Sequence, residues 1–143
     1  MAWHVEYLAQ EQVIAVELSG KIGMEDLWGV GPRCLAVAQE HTTHAILADV
    51  REATLTTQTT ELFHLPDTAE GQGFTRHYRV ALVISDDPDQ KESFTFFETV
   101  FINRGFQMRL FSERDAALEW LRYTRRPSDR PANRPPDPSD GSA

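Results

Sequence analysis

Two short runs near the N-terminus, His4–Ala9 and Val13–Ser19, have the apolar and β-branched density of strands, and only Gln10-Glu11-Gln12 separates them. That spacing predicts an antiparallel hairpin. In the second run Val13, Ala15 and Glu17 alternate with Ile14, Val16 and Leu18, and Gly20 is expected to end it. From Met24 to about His41 the period changes, and Leu27, Trp28, Leu35 and Ala38 recur at helical spacing. Pro32 lies inside this stretch, with Gly29 and Gly31 close by. A proline removes one helical donor and clashes with the preceding turn, so the helix is expected to kink or to split there.

Ala45–Val50 is a short apolar run of the kind buried at the centre of a sheet. Thr57 to about Leu65 reads as a short helix stopped by Pro66, and Asp67–His77 as a glycine-containing loop. Tyr78–Ile84 is the strongest strand signal in the chain. The acidic turn Asp86-Asp87-Pro88-Asp89 leads into a helix over Lys91–Arg104, with Gly105 as a left-handed cap. Met108–Phe111 reads as the last strand. Ser112 and Asp115 form a capping box for a final amphipathic helix carrying Ala116, Ala117, Leu118, Trp120 and Leu121. The order is β-β-α-β-α-β-α-β-α. It predicts an α/β fold with a central mixed sheet of about five strands, an antiparallel hairpin followed by parallel strands, and about four helices.

One helix carries more apolar residues than a single face needs. Phe94, Phe97 and Phe101 form a stripe that faces the sheet, while Phe96 and Val100 lie off it. Leu62 and Phe63 on the preceding helix are natural neighbours, with Leu65. Either a neighbouring helix covers these residues within the monomer's core, or Leu62, Phe63, Phe96 and Val100 form a partner or ligand surface, at a homodimer interface or along a groove for an apolar, lipid-like molecule.

Composition narrows the field. The 143 residues suit one core. Formal net charge is -8; the last 20 residues hold four Arg and three Asp, so the first 123 carry -9. An acidic body repels phosphate backbones and anionic bilayers, so nucleic acid and membrane surfaces are not expected partners. The longest apolar run, Val80–Ile84, is far shorter than the ~20 residues a membrane helix needs. The N-terminus lacks the basic and apolar segments of a secretory signal, and a cytoplasmic location is expected. Residues 124–143 hold five of the eight prolines and no large apolar side chain. They are expected to form a disordered tail after a domain spanning 1–123. Arg134–Pro138 could dock on an aromatic groove, but a passive tail is the default.

Catalytic signatures are missing. Cys34 is the one cysteine, which rules out an internal disulfide, and a buried place on a helix suits it. His4, His41, His44, His64 and His77 include no pair at metal-binding helical spacing, so no metal or other cofactor is expected. Gly29–Pro32 lacks the spacing of a dinucleotide loop, and no Gly-x-Ser-x-Gly elbow occurs. Asp86, Asp87 and Asp89 read as a solvated turn rather than a calcium loop. An enzyme would need a polar pocket built from Asp49, Arg51, Thr57 and His77, although Arg51 is expected to pair with Asp49.

The chain resembles STAS-type domains, specifically the SpoIIAA-like group. The resemblance rests on Gly20 after the second strand, on the buried strand Ile46-Leu47-Ala48-Asp49, and on a C-terminal block. That block is Asn103-Arg104-Gly105-Phe106, then Arg109-Leu110-Phe111-Ser112, then Ala116–Leu121. Anti-anti-sigma members of this fold carry an Asp-Ser-Ser-Gly signature whose serine is phosphorylated. The corresponding place here reads Thr57-Gln58-Thr59-Thr60, with neither the Asp nor a Ser, so Thr59 and Thr60 are only weak phosphosite candidates. What the resemblance implies is a non-enzymatic regulatory or protein-interaction module acting through helix faces. Carriage of an apolar small ligand is the alternative, and an enzyme the third possibility.

Overall fold

A computed structural model describes residues 3–125, except the side chains of 123–125. Its elements run β1 (Trp3–Leu8), β2 (Val13–Ile22), α1 (Met24–His41), β3 (Ala45–Leu55), α2 (Thr59–Phe63), α3 (Leu65–Gln72), β4 (Arg79–Val83), α4 (Pro88–Asn103), β5 (Gln107–Phe111) and α5 (Arg114–Arg125). The five strands lie side by side in sequence order. β1 and β2 pair antiparallel, and every later pair is parallel. This is the mixed α/β sheet that the alternating pattern predicts. The final helix runs to Arg125, slightly past the expected boundary at 124; the rest of the proline-rich segment lies outside the described residues.

Gly20 does not end the second strand. At φ +75° it belongs to an irregular stretch of β2, whose register against β3 shifts between Glu17 and Ser19. Beyond the shift Ser19–Ile22 pair with Glu52–Leu55, so both strands outrun β4. The overhanging edge of β3 is held by a side chain. Buried Gln90 on α4 donates through Nε2 to the carbonyls of Val50 (2.9 Å), Arg51 (3.1 Å) and Ala53 (2.8 Å). Its Oε1 accepts the Ser85 N–H at 2.6 Å. A neutral amide thus takes the place of the missing neighbouring strand, where unpaired carbonyls would cost free energy.

The helices depart from expectation at their prolines. α1 is one continuous helix through Pro32, burying Leu27, Gly31, Cys34, Leu35 and Ala38 and leaving Trp28 outward. Pro66 starts a helix instead of stopping one: it sits in the first turn of α3, where its missing N–H has no helical partner to lose. The expected loop at Asp67–His77 is therefore helical to Gln72. Pro88 opens α4 for the same reason, ahead of the expected start at Lys91. The α4 C-terminus is as the sequence predicts. Gly105 has φ +90°, and the N–H groups of Gly105 and Phe106 donate to the carbonyls of Ile102 and Phe101. The rings of Phe101 and Phe106 close this motif edge to face at 5.5 Å. At α5 the cap shifts by a residue. The first helical residue is Arg114, and the Glu113 carbonyl accepts the Ala117 N–H, so Ser112 lies outside the helix.

Two apolar clusters sandwich the sheet. The larger joins one sheet face to α1, α2, α3 and α4. The smaller joins Val13, Ala45, Leu47, Ala81 and Val83 on the other face to Ala117, Leu118 and Leu121 of α5.

Candidate functional site

The larger apolar layer is not filled to its middle. A partly open cavity of about 140 Å³ lies between the sheet and α1, α3 and α4. Its floor is the alternating inward set of the central strands: Val16 and Leu18 on β2, Ile46 and Ala48 on β3, Val80 and Leu82 on β4, Met108 on β5. Leu27 and Cys34 of α1, Leu65 and Ala69 of α3, and Phe97 and Phe101 of α4 form its helical walls, with Phe74, Tyr78 and Phe106 from the connections. Val80 sits mid-strand in the parallel sheet and still keeps partial exposure, which follows from the void above it.

Three residues of the sequence pattern shape one wall. Pro32 has no N–H, which leaves the carbonyl of Trp28, four residues earlier, without its helical donor. Gln72 of α3 donates to that carbonyl through Nε2 at a long 3.5 Å. Gly31 makes room for it, because a Cβ there would stand 2.5 Å from Gln72 Oε1 and 3.5 Å from the Phe74 ring. A glycine and a proline inside α1 therefore read as a notch into which α3 fits, and Trp28, Gly31, Gln72 and Phe74 all border the cavity.

The wall is electrically quiet. Burial pushes the Cys34 thiol up to about 12, with nearby Arg33 opposing, so it stays a neutral thiol. Burial also raises Tyr78, and Cys34 adds to that shift. None of the residues around the cavity is acidic, basic or a histidine.

The residues expected at a partner or ligand surface are divided by the fold. Leu62 and Val100 are buried in the monomer, because α2 packs on α4 and turns both side chains inward. Phe63 is exposed, at 59%, and Phe96 is half-buried. None of the four borders the cavity. Phe94, Phe97 and Phe101 do face the sheet, with rings 5.9 and 5.2 Å apart in sequence order. Thr59 and Thr60 are exposed in the first turn of α2.

The four residues of the enzymatic alternative do not converge. Arg51 donates to Asp49 at 3.0 and 2.8 Å, the expected pair, and its guanidinium holds the Asp49 carboxyl below the usual range. Thr57 lies in the connection after β3, whereas His77 precedes β4 at the opposite end of the strands, 6.2 Å from His44. Asp49 instead borders a smaller polar depression of about 110 Å³ beside α5, with His4, Glu6, Glu17 and Arg114. Among the described residues no three His, Cys, Asp or Glu side chains are placed to hold a metal ion. No helix among them is long and apolar enough to cross a membrane.

The sequence pattern of the family described as SpoIIAA-like matches residues 13–122. No curated protein matches the chain. Among solved structures, an uncharacterised DUF3478-family protein with a SpoIIAA-like fold from Shewanella loihica PV-4 is similar at TM-score 0.53 and 19% identity, covering 84% of this chain and 92% of that one. The Bacillus cell-fate determinant SpoIIAA in its phosphorylated form is similar at TM-score 0.50 and 13% identity, covering 80% and 96%. The unphosphorylated anti-sigma factor antagonist SpoIIAA gives TM-score 0.47 at 14% identity, covering 85% and 98%. At these identities the likeness is one of fold.

Proposed function

The chain belongs to the SpoIIAA-like family, and from that premise we propose that it is a non-enzymatic binding module whose ligand is a small apolar molecule held between the sheet and α1, α3 and α4. The observation that supports this reading is the cavity itself. Its 140 Å³ are bounded almost wholly by aliphatic and aromatic side chains of the larger apolar layer. Burial of apolar ligand surface there supplies the driving force, at roughly 25 cal/mol per Å². The one thiol at the cavity, Cys34, stays neutral, and no acidic, basic or histidine side chain borders it for chemistry on what it binds. Thermal unfolding of the full chain against a broad panel of apolar compounds, charged and uncharged, tests the reading. A midpoint that climbs with ligand concentration is expected. If no compound moves it, and native mass spectrometry of fresh protein finds no adduct, the reading fails.

A second reading has its own observation. Phe63 on α2 is strongly exposed and Phe96 on the adjoining α4 is half-buried, which supports contact with a protein partner or a second copy through these helices. Light scattering on size-exclusion fractions checks self-association: a dimer that Phe63→Asp disperses supports it, and a monomer at every concentration removes it.

A further inference from the structure

Resting on the apolar-ligand reading, we infer that the cavity selects an uncharged molecule of about one ring, and that it rejects carboxylate lipids. Size carries the first half. A protein cavity of about 150 Å³ lined by Leu, Ile and Phe takes up benzene, and this one measures 140 Å³. That is room for a single ring with a small substituent, whereas most of a long acyl chain would have to stay outside the apolar wall. The wall favours a flat guest, since Phe74, Tyr78, Phe97, Phe101 and Phe106 supply ring faces and edges.

Charge carries the second half. The polar side chains at the cavity, Cys34, Thr68, Gln72, Tyr78 and Gln107, are all neutral. Gln72 and Gln107 already donate to the carbonyls of Trp28 and Arg76. A buried carboxylate is stabilised chiefly by a cation, and none borders this cavity; its donors are neutral hydroxyls and amides, which leave most of the desolvation cost of a charge unmatched. Arg76 lies over the ring of Phe106, one of the wall residues, at 4.2 Å. Its guanidinium is committed to Glu70 at 3.2 Å and to the Arg104 carbonyl at 2.7 Å. A neutral guest leaves that arrangement intact.

The test compares four probes on the full chain by calorimetry and by amide chemical-shift mapping: toluene and indole as neutral rings, benzoate as an anion of toluene's size, and dodecanoate as the long-chain anion. Toluene and indole are expected to bind, shifting amides of Ala48, Ala69 and Phe74. Benzoate should bind at least tenfold more weakly than toluene, and dodecanoate should leave those amides unmoved. Ala48→Leu, or Ala69→Leu from the opposite wall, should weaken toluene binding at least tenfold while the spectrum stays folded. Benzoate or dodecanoate binding as tightly as toluene at those amides overturns this inference and leaves the apolar-ligand reading standing. Toluene binding unchanged in both folded variants, or mapping elsewhere, overturns the cavity assignment. If none of the four binds, this inference falls, and the broader panel then decides the reading beneath it.

Discussion

His44 shows how single side chains here are tuned by their neighbours. Its ring meets Tyr78 edge to face at 4.7 Å, with His77 and Arg79 nearby. Partial burial lowers its pKa first, and the charges of His77 and Arg79 lower it further. The folded state therefore binds the His44 proton less readily than the unfolded chain does. The stability that follows is complete above the unfolded value, about 6.5, and is lost as pH falls from there through the folded value. Imidazole titration by NMR should give His44 a midpoint below 6.5, and His77→Gln should move it back up; the urea midpoint should fall between pH 7.5 and 5.5, less so in His44→Gln. A His44 midpoint at or above the ordinary value would refute the assignment. In the sequence His44 and His77 are 33 positions apart, and only the β3–β4 register, with Ala45 opposite Arg79, brings them together. Gln90 was equally silent. A polar residue near a helix start carries no mark that three carbonyls of a distant strand need it. Gly105 was legible, because a glycine after an apolar helical run has a local reason to adopt positive φ.

The helices were readable as elements and misread at their prolines, since one residue type both stops a helix and starts one. Pro66 and Pro88 occupy first-turn positions, and nothing local distinguishes a Pro66 that ends one helix from a Pro66 at the head of the next. Pro32 is the informative case. Its cost to α1 falls on the Trp28 carbonyl, which Gln72 partly satisfies across the α1–α3 contact. Pro32→Ala restores the helical donor and should stabilise the protein by about 1–3 kcal/mol, read from urea unfolding. Gln72→Ala should then cost less in the Pro32→Ala background than alone, because the carbonyl has a second donor. Strict additivity in that double-mutant cycle would show that Gln72 serves some other purpose. The notch also explains why the site was missed. The residue pattern points to Leu62, Phe63, Phe96 and Val100, where apolar residues exceed one face of α4, yet Leu62 and Val100 are buried in the monomer. The cavity instead arises where α1, α3 and α4 fail to meet over Val80, a property of helix spacing that periodicity does not encode.

At the scale of the molecule, strand order decides which face carries the site. β2, β3, β4 and β5 are laid down in one direction, and right-handed crossovers put every connecting helix, α1 through α4, on the same face. The alternation of strand and helix patterns was enough to foresee this mixed sheet. The opposite face is left to α5, which follows the last strand and is bound by no crossover rule. Among the described side chains its cluster holds eight buried residues, three of them alanines, with Leu118 and Leu121 supplying most of the helix's bulk. Leu121 is fully buried, while Leu35 belongs to the thicker layer, which already tolerates a void. Leu→Ala in a core costs about 2–5 kcal/mol, and least where neighbours can relax into the space. Leu121→Ala should therefore lie near the top of that range and exceed Leu35→Ala, with amide exchange accelerating first along β3 and β4. Denaturant titrations of the two variants decide it. Equal losses, or a larger one for Leu35, would mean that the α5 face is no thinner energetically than the layer holding the cavity.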